Sequence, residues 1–406
     1  MKVKKHELIL SLFMLGICSF VFLKCHEITS QQIAAAVTVL AIIQLDKIFY
    51  SNGKLKGIVG ALLAYILVEA GVSLARYGQG VSVVIYYCFS FFSLILYFYF
   101  TGIENCRYDL FKDILKGSRI FLGCMYIITI LAYMGIYILD SYAYRSRNGF
   151  LRINAGDFYI VMGLWLTFGK MIESRNNGKK PIQKDIIWFF LGTFYIVFIS
   201  QTRMQIVACL ITIICTYLVT RKDKSQKVIL LCGFLLILIV IIQLPVVQSL
   251  INKNFGGLLT GTDASMVPRI GAIEHYIKYG NYRKLMGWGY ASVNAPSNGK
   301  YNLFEIYRGP WGTYYTDDVG NFSFYMMYGM IGVIILTVLF GKMFWYAYKE
   351  RFREPHRMAV VFFVIIASFS LSLFDVERQS YLVLALLCLE SECRRTTETY
   401  VTIGEK

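Results

Sequence analysis

The residues of this chain that could do chemistry are a few arginines and aspartates held in short polar turns. Arg203 closes the turn Ser200-Gln201-Thr202-Arg203 between two apolar runs. Pro268-Arg269 opens a stretch in which Ile270, Ile273 and Ile277 fall on one helical face, with His275 among them. Asp317-Asp318 stand just ahead of Asn321, where another apolar run begins. Arg145 and Arg147 share the polar segment 140–156 with Arg152, and Arg378 ends the corner Asp375-Val376-Glu377-Arg378. A guanidinium stays charged and offers a planar fork that matches phosphate bidentately. A carboxylate or an imidazole can take the proton of a hydroxyl. These types in these turns point to a site that binds a phosphate-bearing ligand and activates an alcohol.

Each residue also has a plainer reading. Arg203 could snorkel to lipid headgroups, and Arg269 could pair with Glu274 or Asp263. One of Asp317 and Asp318 could simply cap the helix that follows. Gly287-Trp288-Gly289-Tyr290 is a turn where backbone comes close to something. Its aromatics, with Trp311, Tyr314 and Tyr315, could stack on sugars or form an interfacial belt. Glu69 lies inside an apolar run. Intramembrane charges mark function by default, although Arg76 could neutralise it. A paired-Asp metal site finds no further carboxylate cluster, and HExxH, P-loop and GxSxG patterns are absent. No metal and no cofactor are expected.

The elements that must position these residues are membrane helices. The chain of 406 residues is 57% hydrophobic and only 16% charged, with a mean hydropathy of +0.55. Soluble domains are closer to a quarter charged. The pattern predicts an all-α polytopic membrane protein of about twelve transmembrane helices with one large extracytoplasmic loop. Helices are expected over 8–23, 33–50, 58–75, 81–103, 118–139, 157–172, 186–200, 204–220, 228–250, 322–346, 358–374 and 380–389. Three regions follow: helices over 1–250, a loop or cap over 251–320, and helices with a short tail over 321–406. The first helix is expected to be retained, because Lys24-Cys25-His26-Glu27 is no small-residue cleavage site.

Lysine and arginine set the expected orientation. With the amino terminus inside, the inner segments hold Lys2, Lys4 and Lys5, then Lys54 and Lys56, then Arg107, Lys112 and Lys116. The later ones hold Arg175 to Lys184, Arg221 to Lys227, Lys342 to Arg357, and Arg394 with Arg395. Both termini are then cytoplasmic and the 251–320 loop is outside. Much of the net charge of +16 is this asymmetry, so nucleic acid is not an expected partner. Arg145, Arg147, Arg203, Arg269 and Arg378 stay on the disfavoured side, which an anionic ligand would explain. Of the ten cysteines, most lie in apolar runs as small hydrophobes, and none shows CxxC spacing.

The order of these features resembles the O-antigen polymerase and O-antigen ligase superfamily. The resemblance rests on Ser-x-Thr-Arg at 200–203, Arg269, Gly-Trp-Gly at 287–289, and Asn321 followed by Tyr328-Gly329-Met330-Ile331-Gly332. It implies an all-helical bundle with a large outer loop that joins lipid-linked glycans without a metal ion. It also implies that Arg203 and Arg269 hold undecaprenyl pyrophosphate. Many relatives carry His-Asn where this chain has Asp318-Val319-Gly320-Asn321, which leaves Asp318, Asp317 and His275 as alternative bases. The expected function is a polysaccharide polymerase of the bacterial cytoplasmic membrane acting on lipid-linked oligosaccharide repeat units. A flippase and a chain-length regulator are expected partners, besides membrane lipids. The alternatives are a ligase with nearly the same site, a lipid-linked oligosaccharide flippase or transporter, and a polyprenyl-phosphate-sugar glycosyltransferase.

Overall fold

The computed structural model describes residues 5–17, 30–103, 109–139, 143–147, 150–153, 156–222, 266–290, 308–309, 312–314, 319–369 and 379–393. The expected helix 228–250, together with Asp317, Asp318 and Arg378, lies outside the described residues.

Apolar runs become helices in the expected order. They are α1 (Lys5–Ile17), α2 (Ser30–Ile42), α3 (Leu45–Phe49), α4 (Lys56–Ala75), α5 (Val81–Phe91), α6 (Ile95–Ile103), α7 (Leu110–Tyr133), α8 (Asp157–Asn176), α9 (Gln183–Phe194) and α10 (Arg203–Thr220). Further along the chain come α11 (Met266–Tyr282), α12 (Asn321–Lys349), α13 (Pro355–Ser368) and α14 (Gln379–Glu390). Two small hairpins, β1 (Tyr144–Arg147) with β2 (Phe150–Ile153) and β3 (Arg308–Gly309) with β4 (Gly312–Thr313), are the strands among the described residues. Five helical segments there are long and apolar enough to cross a membrane: Lys56–Ala75, Leu110–Tyr133, Gln183–Ser200, Arg203–Thr220 and Asn321–Lys349.

Several expected boundaries move, each for a local reason. The helix expected over 118–139 starts at Leu110, because Asp109 accepts the Lys112 N–H at 2.9 Å and caps it. The single helix expected over 33–50 breaks between Ile42 and Leu45. Between α5 and α6 the chain tightens into a 3₁₀ turn at Phe92–Leu94. The last turn before Ser200 is π-helical, Tyr195–Ser200. The hairpin β1–β2 falls within the polar segment 140–156, and α11 falls within the region expected as a loop over 251–320.

The core lies where α8, α13 and α14 meet. Trp165 is fully buried and its ring lies 5.7 Å from that of Phe363. Phe158 stacks on Tyr381 at 4.6 Å. Two polar ends flank this core. We call one the loop end; it gathers the C-termini of α4, α7 and α13, the start of α8, the α9–α10 turn and the start of α12. The other, the tail end, gathers the start of α4, the α12–α13 turn and the end of α14.

At the loop end, α12 is broken at Gly329, which takes φ 61 and ψ −162. Such a break frees backbone groups that an apolar layer cannot solvate. The 284–290 segment supplies the missing partners. Trp288 N–H donates to Met326 O at 2.9 Å and Gly289 N–H to Met327 O at 2.8 Å. In return Met330 N–H donates to Lys284 O at 2.6 Å and Ile331 N–H to Leu285 O at 3.1 Å. A Cβ on Gly329 would lie 2.4 Å from Leu285 O, and one on Gly287 would lie 2.4 Å from Met327 O. Both glycines are therefore dictated by backbone packed against backbone.

Candidate functional site

The α9–α10 turn is the most constrained polar feature of the loop end. Gln201 sits at φ 51, the one non-glycine residue with positive φ among the described residues. Strain of this kind clusters at functional positions. The turn is clamped from the hairpin: Arg152 on β2 donates from Nε to Ser200 O at 2.8 Å and from Nη2 to Thr202 Oγ1 at 3.1 Å. Ser200 Oγ donates to Asp157 Oδ2 on α8 and lies 3.1 Å from Thr202 Oγ1. Asp157 Oδ1 is buried and has no hydrogen-bond partner among the described residues.

The clamp changes what the start of α10 offers. Thr202 occupies the N-cap position, a place where threonine ordinarily caps. Here its hydroxyl is drawn to Arg152 and makes no cap hydrogen bond. The forgone cap is worth about 1 kcal/mol. Arg203 follows as the first residue of α10 and is half-buried. A cation there works against the helix dipole, while the uncapped first turn and the guanidinium both favour an anion.

The hairpin concentrates positive charge in the same way. Arg145 and Arg152 are directly opposed across the strands, so both side chains leave on one face. Like charges in that position destabilise a hairpin on their own. Burial lowers the Arg152 guanidinium from its ordinary value, Asp157 works against the shift, and Arg145 adds to it. Arg152 remains charged at neutral pH all the same. Arg147 is paired in register with Phe150 at the end of β1.

The other candidates occupy different parts of the loop end. Arg269 is half-buried in the first turn of α11, three residues after its start, whereas Arg203 is the first residue of α10. His275, one turn and a half later, faces Tyr279 at 4.6 Å and Tyr314 at 5.2 Å between ring centres. Asn321 opens α12 and donates from Nδ2 to Ser368 Oγ at 3.2 Å, tying that start to the end of α13.

Gly287, Trp288, Gly289 and Tyr290 form the seam between loop and bundle. Tyr290 is fully buried, with its hydroxyl donating to Ile66 O at 3.0 Å and its N–H to Ser73 Oγ at 2.9 Å. Gly287 O accepts from Tyr77 at 2.9 Å, and Trp288 Nε1 donates to Tyr279 O at 2.8 Å. Arg283 lies over the Trp288 ring at 5.3 Å. These bonds seat α11, and with it Arg269 and His275, on the bundle. A cavity of about 540 Å³ lies far from all this, at the tail end, lined by Ile42, Phe49, Lys56 and Phe98 among others.

Sequence reasoning flagged Arg203 and missed its clamp. It counted Arg152 as a charge on the disfavoured side and named Arg145 and Arg147 instead. The signal available in the sequence was Asn148-Gly149, a dipeptide that favours two-residue hairpin turns.

A helical bundle with five segments long and apolar enough to cross a membrane, a strained, arginine-clamped turn at one end and the 284–290 segment sealed onto a broken helix has the make-up of a membrane protein. Residues 188–337, from α9 to α12, match the family model described as O-antigen ligase. The match covers less than half of the chain and bears out the resemblance to the O-antigen ligase and polymerase superfamily. It takes in Arg203, Arg269, His275, the 287–290 seam, Asp317, Asp318 and Asn321, and leaves out Arg145, Arg147, Arg152, Asp157 and Arg378. No curated protein matches the chain.

Proposed function

We propose that this protein is a polysaccharide polymerase that joins undecaprenyl-pyrophosphate-linked repeat units on the outer face of the bacterial cytoplasmic membrane. The observation that carries the reading is the clamped turn within the matched segment, where Thr202 is withheld from capping and Arg203 opens α10. That arrangement is suited to a pyrophosphate that gains charge as it leaves. Donors fixed in advance lower the barrier without reorganising during the reaction.

In this reading the growing glycan is transferred from its lipid pyrophosphate to a sugar hydroxyl of another lipid-linked unit. Arg203 and Arg269 hold the leaving pyrophosphate. Arg145, Arg147 and Arg378 are outlying candidates for the same anion. Asp318, with Asp317 beside it, takes the proton of the acceptor hydroxyl, and His275 is the alternative base. No metal and no cofactor enter the step.

The family description favours a second reading, a ligase that moves finished glycan to a different acceptor using the same residues. The two separate by product. A polymerase yields a ladder of repeat units still released by mild acid from a lipid pyrophosphate, whereas a ligase yields glycan on an acid-stable acceptor. A protein that translocates intact lipid-linked units and forms no glycosidic bond would refute both. For the base, Asp318→Asn is expected to stop elongation with the protein still folded, because asparagine caps nearly as well but takes no proton. Normal elongation in both Asp318→Asn and Asp317→Asn would move the role to His275 or to the arginines alone.

A further inference from the structure

The cavity at the tail end takes no part in the proposed reaction. Its volume of about 540 Å³ falls within the roughly 300–1,000 Å³ of small-molecule sites. The walls are apolar, built from Ile42, Leu45, Phe49, Leu63, Ile95 and Phe98. Ser51 and Lys56 are the polar residues of the lining. Lys56 opens α4 and Leu63 lies two turns further on, so the groove runs roughly 10 Å along the helix at ~1.5 Å per residue. One end is therefore polar. The other sits against the apolar stretch of a helix long enough to cross a membrane.

The walls are fixed apart by their frame. α3 packs so closely on α6 that a Cβ on Gly102 would run into Lys47 O. Tyr99 Oη donates to Gln44 Oε1 at 3.2 Å, and Ser51 Oγ lies 2.6 Å from Thr101 Oγ1. Leu55 N–H, just ahead of α4, donates to Tyr97 Oη at 3.0 Å and to Glu390 Oε1 at 3.0 Å. The break after α2, the short α3 and the start of α4 are thus all tied to α6. At Gly57, in the lining, a Cβ would meet no atom within 4 Å.

Charge collects at the polar end. Segment 42–57 carries Asp46, Lys47, Lys54 and Lys56. Lys47 pairs with Asp46 at 3.5 Å, which leaves Lys54 and Lys56 as the excess. Both are exposed. An ammonium has three protons to donate. Lys56 Nζ donates to Ser51 O at 3.1 Å and pairs with no carboxylate among the described residues. Beside the groove Leu45 and Phe49 of α3 are exposed, as on a helix lying in a lipid interface.

An apolar groove with cations at one end and an apolar layer at the other matches an amphiphile with a negative head. We propose that it is a binding site for one anionic phospholipid of the leaflet at the tail end. An acyl chain lies between Leu63, Ile95 and Phe98, and the headgroup phosphate meets Lys56 and Lys54. A soluble anion would gain nothing from the apolar walls. No loop-end residue takes part, so the site stands apart from the glycan reading.

Native mass spectrometry tests it on the purified full-length protein, released from nanodiscs of phosphatidylglycerol and phosphatidylcholine in equal parts. Wild type should retain one phosphatidylglycerol. No retained lipid, or no preference between the headgroups, would overturn the proposal. Gly57→Leu fills the groove from a helical position where leucine is favoured over glycine, and should lose that lipid. Retention at the wild-type level would place the lipid elsewhere and overturn the site. Lys56→Gln keeps the walls and removes the charge, and serves alone if Gly57→Leu does not fold. It should lower the preference for phosphatidylglycerol about fivefold, roughly the worth of one lysine beside an anionic surface. An unchanged preference would overturn the proposal. Benzoylphenylalanine in place of Phe49 identifies any other occupant. Light should join it to lipid, whereas a crosslink to residues 228–250 or to a second copy of the chain would overturn the proposal. Displacement of phosphatidylglycerol by equimolar undecaprenyl phosphate would assign the groove to the glycan carrier and overturn it as well.

Discussion

The two polar ends of the bundle use arginine in opposite ways. At the tail end Arg357 is fully buried. It pairs with Glu350, donates to Ser391 O at 3.2 Å and Glu390 O at 3.4 Å, and lies over the Tyr346 ring at 4.6 Å. Glu390 in turn accepts from Tyr97 Oη at 2.6 Å and Leu55 N–H at 3.0 Å, and Glu354 accepts from Cys393 N–H at 3.2 Å. The result is a lock joining the start of α4 to α12, α13 and α14. At the loop end Arg152 spends two of its donors on one turn, Arg145 crowds it across the hairpin, and Arg203 stands where the helix dipole disfavours it. Charge neutralised within the fold builds structure. Charge crowded and strained around a helix start is the arrangement on which the proposed pyrophosphate site rests.

The largest effect expected from breaking the contrast is at the tail end. Arg357→Met leaves Glu350 and the Glu390 and Ser391 carbonyls without their buried partner. Glu350 keeps 32% of its side chain exposed, so the loss is expected to fall below the roughly 3–5 kcal/mol of a pair buried on both sides. Thermal unfolding in detergent should show a marked fall in midpoint, with the loop end unaffected in any variant that remains folded. An unchanged midpoint would show that the lock is not structural.

The same end should carry a pH signature. Burial pushes the Glu354 carboxyl up to about 7 from an ordinary 4.5, against the pull of Arg357. Between those two values the folded state keeps a proton that the unfolded state releases, so stability should fall as pH rises through that window. Glu354→Gln should flatten the dependence. A stability that rises with pH over the same range in wild type would contradict the burial argument.

Smaller effects belong to the loop end. Gly329→Ala forces a side chain into the left-handed region against Leu285 O, at a cost of about 1–3 kcal/mol for the backbone alone. Faster exchange of the Met330 and Ile331 amides, with the tail end still protected, is the expected reading. Thr202→Val removes the hydroxyl that Arg152 holds, for about 1 kcal/mol of stability. It should raise the substrate concentration needed for half-maximal elongation more than it lowers stability. Equal effects on both would make the clamp a structural device like the tail-end lock.

The chain shows why one end is easier to read than the other. Helices such as α4, α10 and α12 were legible because runs of about 20 apolar residues have few other solutions. The break at Gly329 was not, since Tyr328-Gly329-Met330 is as apolar as its surroundings and the segment 284–290 that supplies its hydrogen-bond partners lies far off in the chain. Arg203 was legible as a charge on the wrong side. Arg152 was not, because a count of charges ignores the register that pairs it with Arg145. The tail-end lock was invisible as well: Leu55 and Glu390 lie 335 residues apart in the chain.

The measurement closest to the central claim compares Arg203→Ala, Arg203→Lys and wild type for elongation of a defined undecaprenyl-pyrophosphate-linked repeat unit, with expression and unfolding temperature matched. Losing a fixed donor to a developing anion typically costs about 10²–10³ in rate. The account predicts a loss of that order for alanine at unchanged stability. It predicts only partial recovery for lysine, which brings charge without the planar fork. Wild-type elongation in a folded Arg203→Ala variant would contradict it.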